Sequence, residues 1–137
     1  MLDTSPLTAA VERFADRLRA APQSRLQQGA AGAALDLARE LSLRAQRLEA
    51  ASAGAGDGTG AAPARTMPDA GIFVVGDQLA VAGLDLAEAL QAAAAGPVAG
   101  SPADPVTGPG PDTAKAPSEM LDEAVRLVDQ AEAGALR

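Results

Sequence analysis

The chain contains no cysteine, histidine, tryptophan or tyrosine, only two phenylalanines, and a single lysine, Lys115. Without cysteine there are no disulfides and no thiolate metal sites, and nothing ties the chain to an oxidising compartment. Without histidine it lacks the commonest general base and the usual imidazole metal ligand. Two phenylalanines offer little to line a sugar cleft around a glycosidase-like acid pair. No stretch is long and charge-free enough to span a bilayer, because Asp77 and Asp85 interrupt the best candidate. The opening MLDTSPLTAAVERF lacks the cationic segment and apolar core of a secretory signal. These absences point to a cytoplasmic protein with no membrane partner.

Alanine makes up roughly a quarter of the 137 residues. The apolar fraction of 47% therefore overstates the core, since alanine buries little area, and ordinary or marginal stability is expected. The preference for arginine over lysine, with so much alanine and glycine, suggests high-GC coding in a bacterium. The net charge of −7 argues against nucleic acid as a partner. Its distribution is uneven: up to Ala51 seven arginines face six acids, whereas four basic residues face twelve acids beyond it. Attraction between the halves should help the second dock on the first, weakened by salt.

The densest cluster of large apolar residues lies between Asp69 and Ala95. Its first part, GIFVVGDQLAVAG, could form a hairpin across Gly76-Asp77. A helix fits better, because Ile72, Val75, Leu79, Ala82, Leu86 and Leu90 fall on one stripe at spacings of three and four. Phe73, Ala80, Leu84 and Ala87 form a second stripe. The polar sector of Asp77, Asp85 and Glu88 is narrow and includes Val74 and Val81. A helix apolar around most of its girth is one that others surround.

Before it, Ser5-Pro6 makes a good helix start, with Leu7, Val11, Phe14 and Leu18 as the apolar stripe and Pro22 as the stop. Ser24-Arg25-Leu26-Gln27 has the form of a capping box, so a second helix should run from Ser24 to about Ala51. Leu26, Ala30, Ala33, Leu37, Leu41 and Leu48 share its face, and the short connection favours an antiparallel hairpin. Glycine at every second position from Gly54 to Gly60 marks a linker, and residues 96–117 hold six of the ten prolines. A last helix should begin near Ser118, with Leu121, Ala124, Val125, Val128 and Ala131 on its stripe. The expected architecture is all-α: a three- or four-helix bundle of two long and two short helices. Its parts are an N-terminal helical hairpin (1–51), a flexible linker (52–68), a central helix packing on the hairpin (69–95), a disordered Pro/Gly-rich tether (96–117) and a C-terminal amphipathic helix (118–137).

Candidate chemistry is sparse. Asp85 and Glu88 could bite one hard cation, but Asp77 lies about 12 Å further along the axis, so a solvated stripe is the better reading. Gly71, Gly76 and Gly83 match no phosphate-loop pattern; Gly29, Gly32, Gly76 and Gly83 read instead as places where helix backbones approach closely. Arg13, Arg17, Arg19 and Arg25 beside Pro22 suggest a helix-turn-helix, yet interleaved acids and the long second helix favour a solvated surface. Arg44 among Leu37, Leu41 and Leu48 needs a carboxylate, and antiparallel packing of the second and central helices would supply Asp77. Leu35 and Leu43, off the main stripe, join Val74 and Val81 as candidates for an interface. The resulting expectation is a non-catalytic helical interaction or structural module, with a protein partner or a second copy. No catalytic, cofactor-binding or metal residue is assigned. A carboxylate-dependent metal enzyme and a weak DNA-binding regulator are the alternatives.

Overall fold

The computed structural model describes residues 2–52, 65–95 and 116–136. They form α1 (Ser5–Ala20), a single turn α2 (Gln23–Arg25) running through an irregular turn (Leu26–Ala30) into α3 (Ala31–Ser52), then α4 (Val75–Ala94) and α5 (Pro117–Ala135). No strand occurs among the described residues, so the hairpin at Gly71–Gly83 is excluded and the helical period holds. The four principal helices pack as one bundle. The Gly/Ala linker core, 53–64, and the proline-rich 96–115 lie outside the described residues.

Helix boundaries differ from expectation where local hydrogen bonding decides. Ser5 is the first residue of α1 rather than its cap; Thr4 precedes it without capping the helix through its side chain, and the Ser5 N–H is taken by Asp3 Oδ1 at 2.9 Å. Hydrogen bonding from Ser5, through its side chain first and its N–H second, holds the Asp3 carboxyl below its ordinary pKa. Ser24 caps nothing: Pro22 provides the start, its carbonyl accepting from the N–H groups of Arg25 and Leu26. The long second helix is broken at Gly29, whose φ of 134° only glycine adopts readily. Asp69 does not cap α4 either. Its Oδ1 accepts from the Gly71 N–H at 3.0 Å, and a turn through Gly71 (φ 106°) delivers the chain to Val75. The kink and the late start of α4 even out the helix lengths, to 16, 22, 20 and 19 residues.

Side-chain bonds establish the directions. Arg19 reaches Asp77 at 2.7 Å and Gln91 reaches Thr4 at 3.1 Å, so α1 and α4 are antiparallel. Arg13 meets Asp129 and Glu132, and Arg17 meets Glu132 and the Leu136 carbonyl, so α1 and α5 are parallel. Arg44 meets Glu123, while Ala33 and Gly134 line one groove, so α3 and α5 are antiparallel. It follows that α3 and α4 run parallel, in an up-down-down-up bundle. The stretch 65–68 makes the return possible by running back along α3. Gln46 pairs through its side-chain amide with both the N–H and the carbonyl of Arg65 (2.7 and 2.9 Å), and Arg39 Nε donates to the Met67 carbonyl at 2.8 Å. Gln78 Nε2 then donates to the Pro68 carbonyl at 2.8 Å.

The core joins Leu7, Val11, Phe14 and Leu18 of α1, Leu37 and Leu41 of α3, Leu79, Leu86 and Leu90 of α4, and Leu121 and Val128 of α5. α3 packs chiefly on α4 and α5, α4 touches the other three, and α1 and α3 barely meet. Two-sided packing explains Leu35: a candidate for an interface from its place off the main stripe, it is buried within the bundle, and Leu43 is half-buried. Glycine works where α4 crosses α1. A β-carbon on Gly83 would stand 2.8 Å from both Val11 methyls, and one on Gly76 would stand 3.3 Å from the Ala15 carbonyl oxygen. Gly32 has nothing within 4 Å, so the close-approach reading fails there, and at Gly29 the backbone angle is the reason for glycine.

Candidate interaction face

The charged residues singled out in the sequence are drawn largely into ion pairs that hold the bundle together. Arg13 lies 2.9 Å from Asp129 and 3.2 Å from Glu132; Arg17 lies 3.0 Å from Glu132. Arg19 bridges Asp16 at 3.0 Å and Asp77 at 2.7 Å, and its pKa is raised chiefly by the hydrogen bond to Asp77. Three of the four arginines of the supposed helix-turn-helix patch therefore face carboxylates. In each ion pair between the halves among the described residues the cation comes from the first and the acid from the second, the pattern that the charge asymmetry implies. Glu132 is the most enclosed of these groups, its side chain only 7% exposed, and the two guanidiniums supply the charge-assisted bonds that such a carboxylate requires.

The Arg44–Asp77 pair does not form. Arg44 bonds Glu40 at 2.8 Å and Glu123 at 2.9 Å. Burial opposes its charge, but hydrogen bonds to Glu123 and Glu40 outweigh this and raise its pKa. The error lay in the direction of packing. With α3 and α4 parallel, following the bonded neighbours from Arg44 through α5 and α1 places it level with the region of Glu88, roughly 16–18 Å from Asp77 at 1.5 Å per residue. The stripe from Val75 to Leu90 instead fills the bundle centre.

No group of three acids among the described residues is placed to hold a metal ion. Asp77 is engaged by Arg19, while Asp85 and Glu88 stand exposed on α4. Two open grooves of about 320 and 370 Å³ lie where Pro22 and the kinked turn meet the end of α5. Arg17, Pro22, Arg25 and Leu136 line the first; Arg25, Gln28, Ala33 and Gly134 line the second. Neither brings a carboxylate pair or a nucleophile into a cleft. No helix among the described residues is long and apolar enough to cross a membrane.

The outer face of α4 is different. Among the described residues the exposed large apolar side chains are Phe73 (74%), Val74 (39%), Val81 (54%) and Leu84 (50%), all on α4 or its entry turn. The excess apolar girth read from the sequence is thus half consumed: one side fills the core and the other is left over. Phe73, on the second stripe of the sequence, lies in the entry turn ahead of the helix and is exposed. Comparison of the chain with protein-family models, with curated proteins and with solved structures finds no match.

Proposed function

We propose that this chain is a non-catalytic interaction module of the bacterial cytoplasm that works by presenting the outer face of α4 to another protein chain. The observation that carries the reading is the segregation of exposed apolar surface. Among the described residues α1, α3 and α5 leave no large apolar side chain exposed, whereas Val81 and Leu84 stand open one turn apart on α4, with Val74 and Phe73 at its entry. Contiguous exposed apolar surface on a folded protein marks an interaction site, whereas isolated apolar residues mean little. A second copy or a different protein could cover the face. The absence of cysteine and histidine and the engagement of Arg13, Arg17, Arg19 and Asp77 in structural ion pairs agree with a role in binding rather than catalysis.

The test is site-directed photo-crosslinking with benzoylphenylalanine at Val81 and, as a control, at Glu12 on the polar face of α1. Adducts with protein are expected from position 81 and not from position 12. Equal adducts from both positions, or none from position 81, would remove the reading.

A further inference from the structure

The outer face of α4 carries exposed apolar and acidic side chains interleaved. Val74, Val81 and Leu84 recur at spacings of seven and three, as in a coiled-coil seam; Asp77 and Glu88 occupy further positions of the same seam, and Asp85 stands exposed at its edge. Arg19 neutralises Asp77, but no ion pair among the described residues engages Asp85 or Glu88. α4 carries no lysine or arginine of its own. Two copies of this face, parallel or antiparallel, would set carboxylates against carboxylates across the seam. Each chain also carries a net −7, so a second copy is opposed at long range as well. The stretches 53–64 and 96–115 are unsuited by composition: they hold one basic residue, Lys115, and no leucine, isoleucine, phenylalanine or methionine.

Resting on the reading that this face is an interaction surface, we infer that its occupant is a basic amphipathic helix of a different protein. Leucine or isoleucine at spacings of three and four would lie along Val74, Val81 and Leu84, and lysine or arginine next to them would reach Asp85 at the edge of the row and Glu88 at its end. The main affinity comes from the apolar anchors; the charges select the partner and speed the encounter.

The probe is a pair of synthetic helical peptides with the same leucine stripe, one flanked by lysine and the other by glutamate. Each is titrated into the isotope-labelled full chain and followed by NMR. The lysine peptide should bind at least about tenfold more tightly than the glutamate peptide, with shifts concentrated between residues 74 and 88. Val81→Ser with Leu84→Ser should weaken it by about tenfold or more. Asp85→Asn with Glu88→Gln should weaken it by about three- to tenfold and flatten its salt dependence. Equal binding of both peptides, or lysine-peptide binding indifferent to the α4 substitutions, overturns the inference. If the chain instead sediments as a dimer that Val81→Ser with Leu84→Ser dissociates, the inferred occupant is wrong while the interaction reading stands. If neither peptide nor a second copy engages α4, both fall.

Discussion

Gly83→Ala is expected to destabilise the protein, although helix propensity alone says the reverse. Gly83 is mid-helix in α4, where alanine gains about 0.8–1 kcal/mol over glycine. The added methyl would lie 2.8 Å from Cγ1 and Cγ2 of Val11 and 3.0 Å from its Cβ, against about 3.5–4.0 Å for an ordinary carbon contact. Val11 is 2% exposed and helical, and a β-branched side chain there has one good rotamer, so it cannot turn aside. The helices must part by close to an ångström, and overpacking of this kind costs about 1–3 kcal/mol. The net loss should be roughly 0.5–2 kcal/mol.

Two comparisons isolate the cause. Gly32→Ala on α3, with nothing within 4 Å, should show the bare propensity gain of about 1 kcal/mol. Val11→Ala removes two methyl equivalents and should cost about 1.6 kcal/mol or somewhat more. In that background Gly83→Ala should change sign and stabilise, because the new methyl enters the vacated space. The chain has no tryptophan or tyrosine, so urea unfolding is followed by ellipticity at 222 nm, and the cycle should give a coupling of about 1.5–3 kcal/mol. A gain of about 1 kcal/mol from Gly83→Ala with Val11 intact would refute the close crossing of α1 and α4.

Gly29→Ala should cost about 1–3 kcal/mol, because alanine is strained at a φ of 134°; a gain in both helicity and stability would show that the helix runs straight through. Arg44→Met should cost about 1–2 kcal/mol, between the values for exposed and buried pairs, and urea unfolding should show coupling to Glu123→Gln and none to Asp77→Asn. Gln46→Ala should speed tryptic cleavage after Arg65 severalfold, since the amide holds Arg65 by both its N–H and its carbonyl; unchanged digestion kinetics would mean the segment is held by other contacts. Asp3, with its pKa lowered by bonding to Ser5, should titrate by NMR below an ordinary aspartate. Its small contribution to stability should be present above the unfolded pKa and fade as pH falls through the folded one; an unshifted titration would remove the cap.

Periodicity carried most of what could be read ahead of the coordinates. Val75, Leu79, Ala82, Leu86 and Leu90 are buried along one line, and Leu7, Val11, Phe14 and Leu18 along another, because a 3.6-residue repeat is a local property that packing merely uses. The direction of α4 was not legible in that way. It depends on Gln46 and Arg39 holding the return stretch through main-chain groups of Arg65 and Met67, contacts that leave no mark on hydrophobic pattern. Once the direction was misassigned, the partner of Arg44 followed it. Leu35 was misplaced for a related reason: a helix with neighbours on two sides buries more than its main stripe. At the interaction face, the surplus of apolar residues on α4 is evident, but which of them stay outside depends on the side of α4 that its neighbours cover and, for Phe73, on where the helix begins.

The near-absence of contact between α1 and α3 has a consequence for how the chain acquires its structure. On the ribosome these helices emerge first, and their apolar stripes, Leu7 to Leu18 and Leu37 to Leu41, have little to close against until α4 has been made. The contacts between the principal helices span large sequence separations, so folding should be slower than the helix content suggests. A nascent chain halted at residue 52 would be an adhesive pair of amphipathic helices, a ready client for a holdase until the remainder arrives.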